Sequence, residues 1–233
     1  MAGGIGYGRT APGNVMDRAM KIFSYFRSSA AYRLRIALAL KGIDYEADYV
    51  HLRRKEHKTP DYLALNPQGL VPTLIDDDGT VVTQSLAQIE YLEETRPEPP
   101  LLPGDAAGRA RVRSLSQVIA CEIHPVNNLR ILLYLVKTLE VGEEAKNAWY
   151  LHWVKEGFDA LESMLAGSAA TGRFCHGDRP TMADACLVPQ VFNAERFGFD
   201  MTPYATIARI NAEMLALPAL AGTAPGDQPD AED

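Results

Sequence analysis

The stretch Lys21-Ile-Phe-Ser-Tyr-Phe-Arg-Ser-Ser-Ala-Ala-Tyr-Arg-Leu-Arg-Ile-Ala-Leu-Ala-Leu-Lys-Gly42 decides the architecture of the first part of the chain. Its opening, residues 21–26, is a short apolar run suited to a buried strand. Ser28 or Ser29 then caps a helix with apolar positions at Leu34, Ala37 and Leu38 and Ile36 beside them, which stops at Gly42. Working outward, Tyr45, Tyr49 and Val50 mark a second strand within residues 44–52, followed by a polar connection and a helical turn around Tyr62 to Leu65. A βαβ unit of this kind favours a parallel strand pair. Two short apolar runs, 70–75 and 80–82, flank Asp76-Asp77-Asp78-Gly79 and predict an antiparallel hairpin. Gln84 and Ser85 open a further helix through Leu86, Ile89, Tyr91 and Leu92, which Pro97 cannot continue. The order is βαβ, then ββα.

Beyond the Pro-rich link at 97–103 the strand signals vanish, and amphipathic segments run through 105–137, 143–165 and 182–197. The expected organisation is a disordered extension over 1–19, an α/β domain over 20–98, an all-helical domain over 104–221 and a disordered tail over 222–233, whose residues are small, Pro or acidic. Thr181 and Asp184 have the spacing of a capping box and are assigned to folding.

With 233 residues, 47% of them hydrophobic and 23% charged, the chain can bury a substantial core. A net charge of −7 without a basic stripe argues against nucleic acid as a partner. Cys121, Cys175 and Cys186 show no CxxC spacing, and the His residues do not cluster with Cys or carboxylates, so neither a disulfide framework nor a metal site is expected. No 18 apolar residues run uninterrupted, so no membrane partner is expected, and a reducing cytosol fits best.

Read singly, the polar candidates have ordinary explanations. Val71-Pro72 reads as an edge or turn proline. Gln84, Ser85, Ser28 and Ser29 read as helix caps, although a helix N-terminus also suits a carboxylate. Arg33 and Arg35 read as structural or solvated. His124 and Asn128, at i and i+4, share a helix face.

Taken together, several segments carry a resemblance. Phe26-Arg-Ser-Ser-Ala-Ala-Tyr-Arg-Leu-Arg-Ile-Ala-Leu38, Asn66-Pro-Gln-Gly-Leu-Val-Pro-Thr-Leu74, Gln84-Ser-Leu-Ala-Gln-Ile-Glu-Tyr-Leu-Glu-Glu94, Cys121-Glu-Ile-His-Pro-Val-Asn-Asn-Leu-Arg130 and Gly177-Asp-Arg-Pro-Thr-Met-Ala-Asp184 resemble the zeta-class glutathione transferases, the class of the maleylacetoacetate and maleylpyruvate isomerases. The similarity spans residues 20–220. It implies a thioredoxin-like α/β N-terminal domain, an all-α C-terminal domain and a homodimer. It also implies glutathione as cofactor, bound by Ser28, Ser29, His57, Gln68, Val71, a cis Pro72, Gln84, Ser85, His124 and Asn128.

The implied reaction is cis-trans isomerisation of a small dicarboxylic ene-dione, maleylpyruvate or maleylacetoacetate. Ser28 and Arg27 would be catalytic, and Arg27, Arg130 and Arg196 would hold the substrate carboxylates. One departure stands out: Ser28-Ser29-Ala30 replaces the Ser-Ser-Cys usual among maleylacetoacetate isomerases, a pattern closer to the bacterial maleylpyruvate isomerases. Two further readings stay open, a broader conjugating or dehalogenating glutathione transferase and a non-catalytic binding module on the same fold.

Overall fold

The computed structural model describes residues 19–232. The expected extension over 1–19 therefore lies, save for Ala19, outside the described residues. The chain divides into two compact units, one made of residues up to Thr95 together with the segment from Gly222, the other of Arg96–Ala221.

The first unit is built on a four-stranded sheet. Strand β1 (Lys21–Ser24) leads into helix α1 (Ser29–Lys41), strand β2 (Glu46–Tyr49), helix α2 (Pro60–Leu65), the hairpin β3 (Thr73–Ile75) and β4 (Val81–Thr83), and helix α3 (Ser85–Thr95). The strand order is β2-β1-β3-β4. β1 pairs with β2 in parallel and with β3 antiparallel, Ile22 facing Ala47 on one side and Leu74 on the other. Ser28 caps α1 with its hydroxyl oxygen, and Gly42 ends it at φ 64°, a left-handed conformation that costs glycine least.

Side-chain alternation along β1 separates two cores. Ile22 packs with Met20, Leu34, Leu38, Leu74 and Leu92, whereas Phe23 packs with Tyr25, Phe26, Val50, Tyr62 and Val71. Leu34 and Leu38, one helical turn apart, are fully buried, each contributing about 1.5–3 kcal/mol. The ends of α1 and α3 are joined by a buried ion pair, Lys41 to Glu93 at 2.9 Å.

The tail expected to be disordered is instead ordered. Thr223, Pro225 and Gln228 are buried, residues Pro225–Asp227 form a 3-10 turn, and the Gln228 amide donates to the carbonyls of Gly222 and Ala224. Its composition offers no apolar pattern. What orders it is hydrogen bonding to α1 and the loop after β1, described below.

The second unit is all-helical: α4 (Ala106–Gln117), a π-helical stretch Val118–Ile123, α5 (His124–Val126), α6 (Leu129–Lys137), α7 (Glu143–Ala166), α8 (Met182–Arg196) and α9 (Ala205–Leu215). The amphipathic run expected over 105–137 is thus interrupted. Pro125 has no N–H to bond back along the helix, the turn before it widens, and the chain leaves the helix at Asn127 before Asn128 caps α6. Gly157 in α7 admits Ile123 so closely that an added Cβ would meet Ile123 Cγ1 at 2.2 Å.

Helix α8 is buried on nearly every side from Met182 to Val191, as befits a central helix. Its N-terminus is closed by Asp184. This carboxylate is fully buried and accepts Cys175 N–H at 2.8 Å, Thr181 N–H at 2.8 Å and the Thr181 hydroxyl at 2.7 Å. Burial raises the Asp184 pKa, and these donors oppose the rise.

Candidate active site

The site residues expected from the sequence fall on both units, and each unit arranges its own set. In the first, the loop after β1 delivers Ser28, half-buried, to the N-terminus of α1. Its Oγ accepts Ala31 N–H at 3.2 Å, which leaves the hydroxyl proton free to be donated elsewhere. Ser29 is buried as the first residue of the helix. Arg27, next in line, lies with its guanidinium 4.9 Å from the Phe26 ring and donates from Nη2 to the backbone oxygen of Glu232 at 3.2 Å.

The second element of this set is the turn before β3. Asn66 and Tyr62 both donate to the Leu70 carbonyl, at 2.8 and 2.6 Å, and both reach the Thr73 hydroxyl. The Val71-Pro72 bond that follows is cis. Gln88, fully buried in α3, ties Pro72 to β4 by donating to the carbonyls of Pro72 (3.1 Å) and Val82 (2.8 Å). In this otherwise pinned turn, the Val71 N–H and C=O take no hydrogen-bond partner among the described residues.

The third element is the entry to α3. Gln84 holds φ at 69°, a strained value for a residue with a side chain. Its side-chain amide donates to Gln68 Oε1 at 2.6 Å, so two residues expected separately in the site are joined. Ser85, buried, accepts from Arg33 Nη1 at 3.2 Å. Its own proton is thereby directed away from Arg33. His57 stands apart in a 3-10 turn, its Nδ1 buried without a hydrogen bond. Desolvation first, then the neighbouring Lys58 charge, lowers its pKa and keeps it neutral at pH 7.

In the second unit, His124 and Asn128 do not share a helix face, because Asn128 is the extended cap of α6 rather than a fourth residue along the helix of His124. They meet nonetheless, Asn128 Nδ2 lying 3.3 Å from His124 Nε2. Asn128 Oδ1 accepts the Arg130 N–H at 3.1 Å, and this fixes Arg130, exposed, in the first turn of α6. A cation there opposes the helix dipole, so Arg130 does not serve the helix. Arg196, also exposed, sits in the last turn of α8, where the dipole favours it, 4.8 Å from the Phe197 ring. Phe197 stacks on Tyr150 at 3.7 Å, and burial pushes the Tyr150 hydroxyl up to about 12 against the opposing charge of Arg196.

Sequence reasoning missed the supporting groups. Arg33 and Arg35 are 2% and 1% exposed, structural rather than solvated. For Arg35 the signal was available: a long cation inside the run Leu34–Leu40 has no wet face to occupy. Gln88, a polar residue beside Ile89 and Leu92 on a buried stripe, carried a similar signal. Asp230 carried none.

The glutathione S-transferase N-terminal domain model matches residues 27–95, and the C-terminal domain model matches residues 152–221. The maleylpyruvate isomerase of a Ralstonia species is 51% identical over 211 residues, covering 91% of this chain and 99% of that one. A solved holo structure of a maleylpyruvate isomerase, described as a bacterial zeta-class glutathione S-transferase, is 50% identical with a TM-score of 0.88, covering 91% of this chain and all of that one. The maleylacetoacetate isomerase of Methylobacterium extorquens AM1, solved with bound malonate and GSH, is 44% identical, also with a TM-score of 0.88, over 91% of this chain and all of that one. Matched in both halves by the same family and near half identical to these enzymes over nine-tenths of its length, the chain belongs to the glutathione S-transferase family, in the zeta class with the maleylacetoacetate and maleylpyruvate isomerases.

Proposed function

We propose that this chain is a glutathione-dependent cis-trans isomerase of a small dicarboxylic ene-dione, maleylpyruvate or maleylacetoacetate, acting in aromatic catabolism. The observation that carries the reading is Ser28, a hydroxyl with its proton free to donate, at a helix N-terminus and with Ala30 rather than a thiol beside it. Position 30 is Ala, and of the three cysteines Cys175 and Cys186 are buried and Cys121 is far from Ser28 in sequence, so in this reading the sulfur nucleophile comes from the cofactor. When bound, glutathione supplies a thiolate that adds to one alkene carbon and later leaves it, so that the former double bond rotates in between.

The chain's residues fit that cofactor. The Val71 N–H and C=O suit pairing with an extended peptide, and Gln84 and Ser85 at the start of α3 suit its γ-glutamyl carboxylate. Pro72, Gln68, Ser29 and His57 complete the first unit's contribution, and His124 and Asn128 are the second unit's. Ser28 donates to the sulfur and, with the α1 N-terminus, lowers its pKa from ~8.5. Arg27, Arg130 and Arg196 take the substrate carboxylates, bidentate donors that overcome the chain's net charge of −7. The enzyme acts as a homodimer in the cytosol, where its cysteines stay reduced.

The experiment is an ultraviolet assay of both cis substrates with and without glutathione. Isomerisation of one or both, dependent on glutathione that is not consumed, is the expected result. Net loss of glutathione into a product would make the chain a conjugating transferase instead.

A further inference from the structure

We propose that Asp230 and Arg35 are positioning residues for the Phe26–Ser28 loop, and that residues 222–232 form a strap whose task is to hold that loop in register. The two peptide groups flanking Phe26 are gripped by opposite charges. Its N–H donates to Asp230 Oδ2 at 3.0 Å, and its C=O accepts from Arg35 Nη2 at 3.3 Å. An anion on the N–H and a cation on the C=O are the favourable partners at each end, and charge-assisted hydrogen bonds of this kind are about twice as strong as neutral ones.

The same guanidinium binds the beginning of the strap. Arg35 Nε donates to the Thr223 carbonyl at 3.0 Å and Nη1 to Ser24 Oγ at 3.3 Å, so one buried side chain links β1, the loop and the strap. Desolvation lowers its pKa to about 10, which leaves it charged at neutral pH. Its three acceptors are neutral oxygens, and the Asp230 carboxylate is a nearby opposite charge. At its far end the strap is anchored again. Glu232 accepts Arg27 through its backbone oxygen, while its carboxylate meets His51 Nε2 at 3.0 Å and Arg54 Nη2 at 2.8 Å. Phe26, Arg27 and Arg35 are therefore fastened to residues 204, 205 and 188 positions away in sequence, and Ser24 is tied in through Arg35.

The loop so held carries the donor hydroxyl and a substrate arginine, and a shift of about 1 Å in such groups costs on the order of 100-fold in rate. None of these hydrogen bonds and ion pairs involves Val71, Gln84 or Ser85. Loss of the strap should thus act on turnover and on the thiolate, not on the grip on the peptide cofactor. This kinetic half rests on the isomerase reading; the placement of the loop does not.

The test compares Asp230→Ala, Asp230→Asn, which keeps an oxygen acceptor, and a chain ending at Gln228, which keeps Thr223. Hydrogen exchange over residues 24–28 is read first and needs no activity. The Phe26 amide should exchange at least tenfold faster in Asp230→Ala and in the shortened chain, with Asn restoring most of the protection. An unchanged Phe26 amide would overturn the proposal. In the active enzyme, kcat should fall tenfold or more in Asp230→Ala while the calorimetric Kd for glutathione stays within about twofold. The ultraviolet titration of the bound thiolate should move up toward ~8.5. Faster turnover in the shortened chain would mean that the tail obstructs the site, and a loss of glutathione affinity matching the loss of kcat would mean a merely structural role. If the wild-type chain isomerises neither substrate, the functional reading fails, and the exchange result alone decides the strap.

Discussion

The N-termini of α1 and α8 are built from the same materials, a hydroxyl residue ahead of a buried helix, and they are spent differently. At α8 the Thr181 hydroxyl and two backbone N–H groups all converge on Asp184, which is fully enclosed and faces only the protein. At α1 the Ser28 oxygen takes one N–H and its proton remains uncommitted, at a position that is only half-buried. A saturated cap stabilises the fold, and an unsaturated one is a reagent. The contrast explains why similar sequence signals, Ser-Ser before one apolar run and Thr-x-x-Asp before another, lead to a proposed chemical role in one case and a folding role in the other.

Substitutions that exchange these roles would break the comparison. The largest effect is expected from Asp184→Ala, which strands three buried donors at about 1–3 kcal/mol each, offset by partial relaxation to about 3–5 kcal/mol of stability in all. Urea unfolding with an unchanged m-value checks it; a loss below about 1 kcal/mol would show that the buried cap is not what closes α8.

Ser28→Ala should do the opposite, costing roughly 2–4 kcal/mol in the barrier to isomerisation but only about 1 kcal/mol in stability, the value of an N-cap. Because rate rises with pH as thiolate forms, a weaker thiolate donor moves the rising limb of kcat/KM to higher pH. A mutant that loses stability and keeps its pH profile would make Ser28 a second Thr181.

Arg130→Ala sharpens the contrast at a third helix start, that of α6. Since a cation in a first turn opposes the dipole, stability should be unchanged or slightly higher, while kcat/KM for the dicarboxylate falls by about 1.5–3 kcal/mol. A chlorinated aryl electrophile should be nearly unaffected; equal losses for both substrates would assign Arg130 to the scaffold. The smallest effect is expected from Ser85→Ala, about 1–2 kcal/mol in glutathione affinity by calorimetry. Unchanged affinity in the Gln84, Ser85 double substitution would remove α3 from the binding site.

The sequence revealed most where local periodicity and turn chemistry agree. The apolar run at 21–26, the Asp-rich turn at 76–79 and the stop at Gly42 each act within a few residues, so the succession βαβ then ββα, the hairpin and the end of α1 could be read directly. His124 and Asn128 show the limit: their contact exists, but Pro125 breaks the helix that seemed to place them together, and a cap restores it. Arg33, ahead of the apolar run that holds Arg35, was read without its depth, because burial there is a property of the packed molecule. The strap was illegible altogether. Its bonds run through the backbone N–H of Phe26 and the backbone carbonyl of Thr223, and no composition or spacing announces a hydrogen bond spanning some 200 residues.

The strap also bears on how the molecule is made. Residues 96–221 separate Thr95 from Gly222, so the unit whose sheet is synthesised first is finished by a segment synthesised after the whole helical unit. At ~5–20 residues per second, a nascent chain passes about 6 to 25 s between the two events. A ribosome paused within that interval has already made all four strands and the three helices α1 to α3, with Arg35 Nε and the Phe26 N–H still waiting for partners that have not yet been translated.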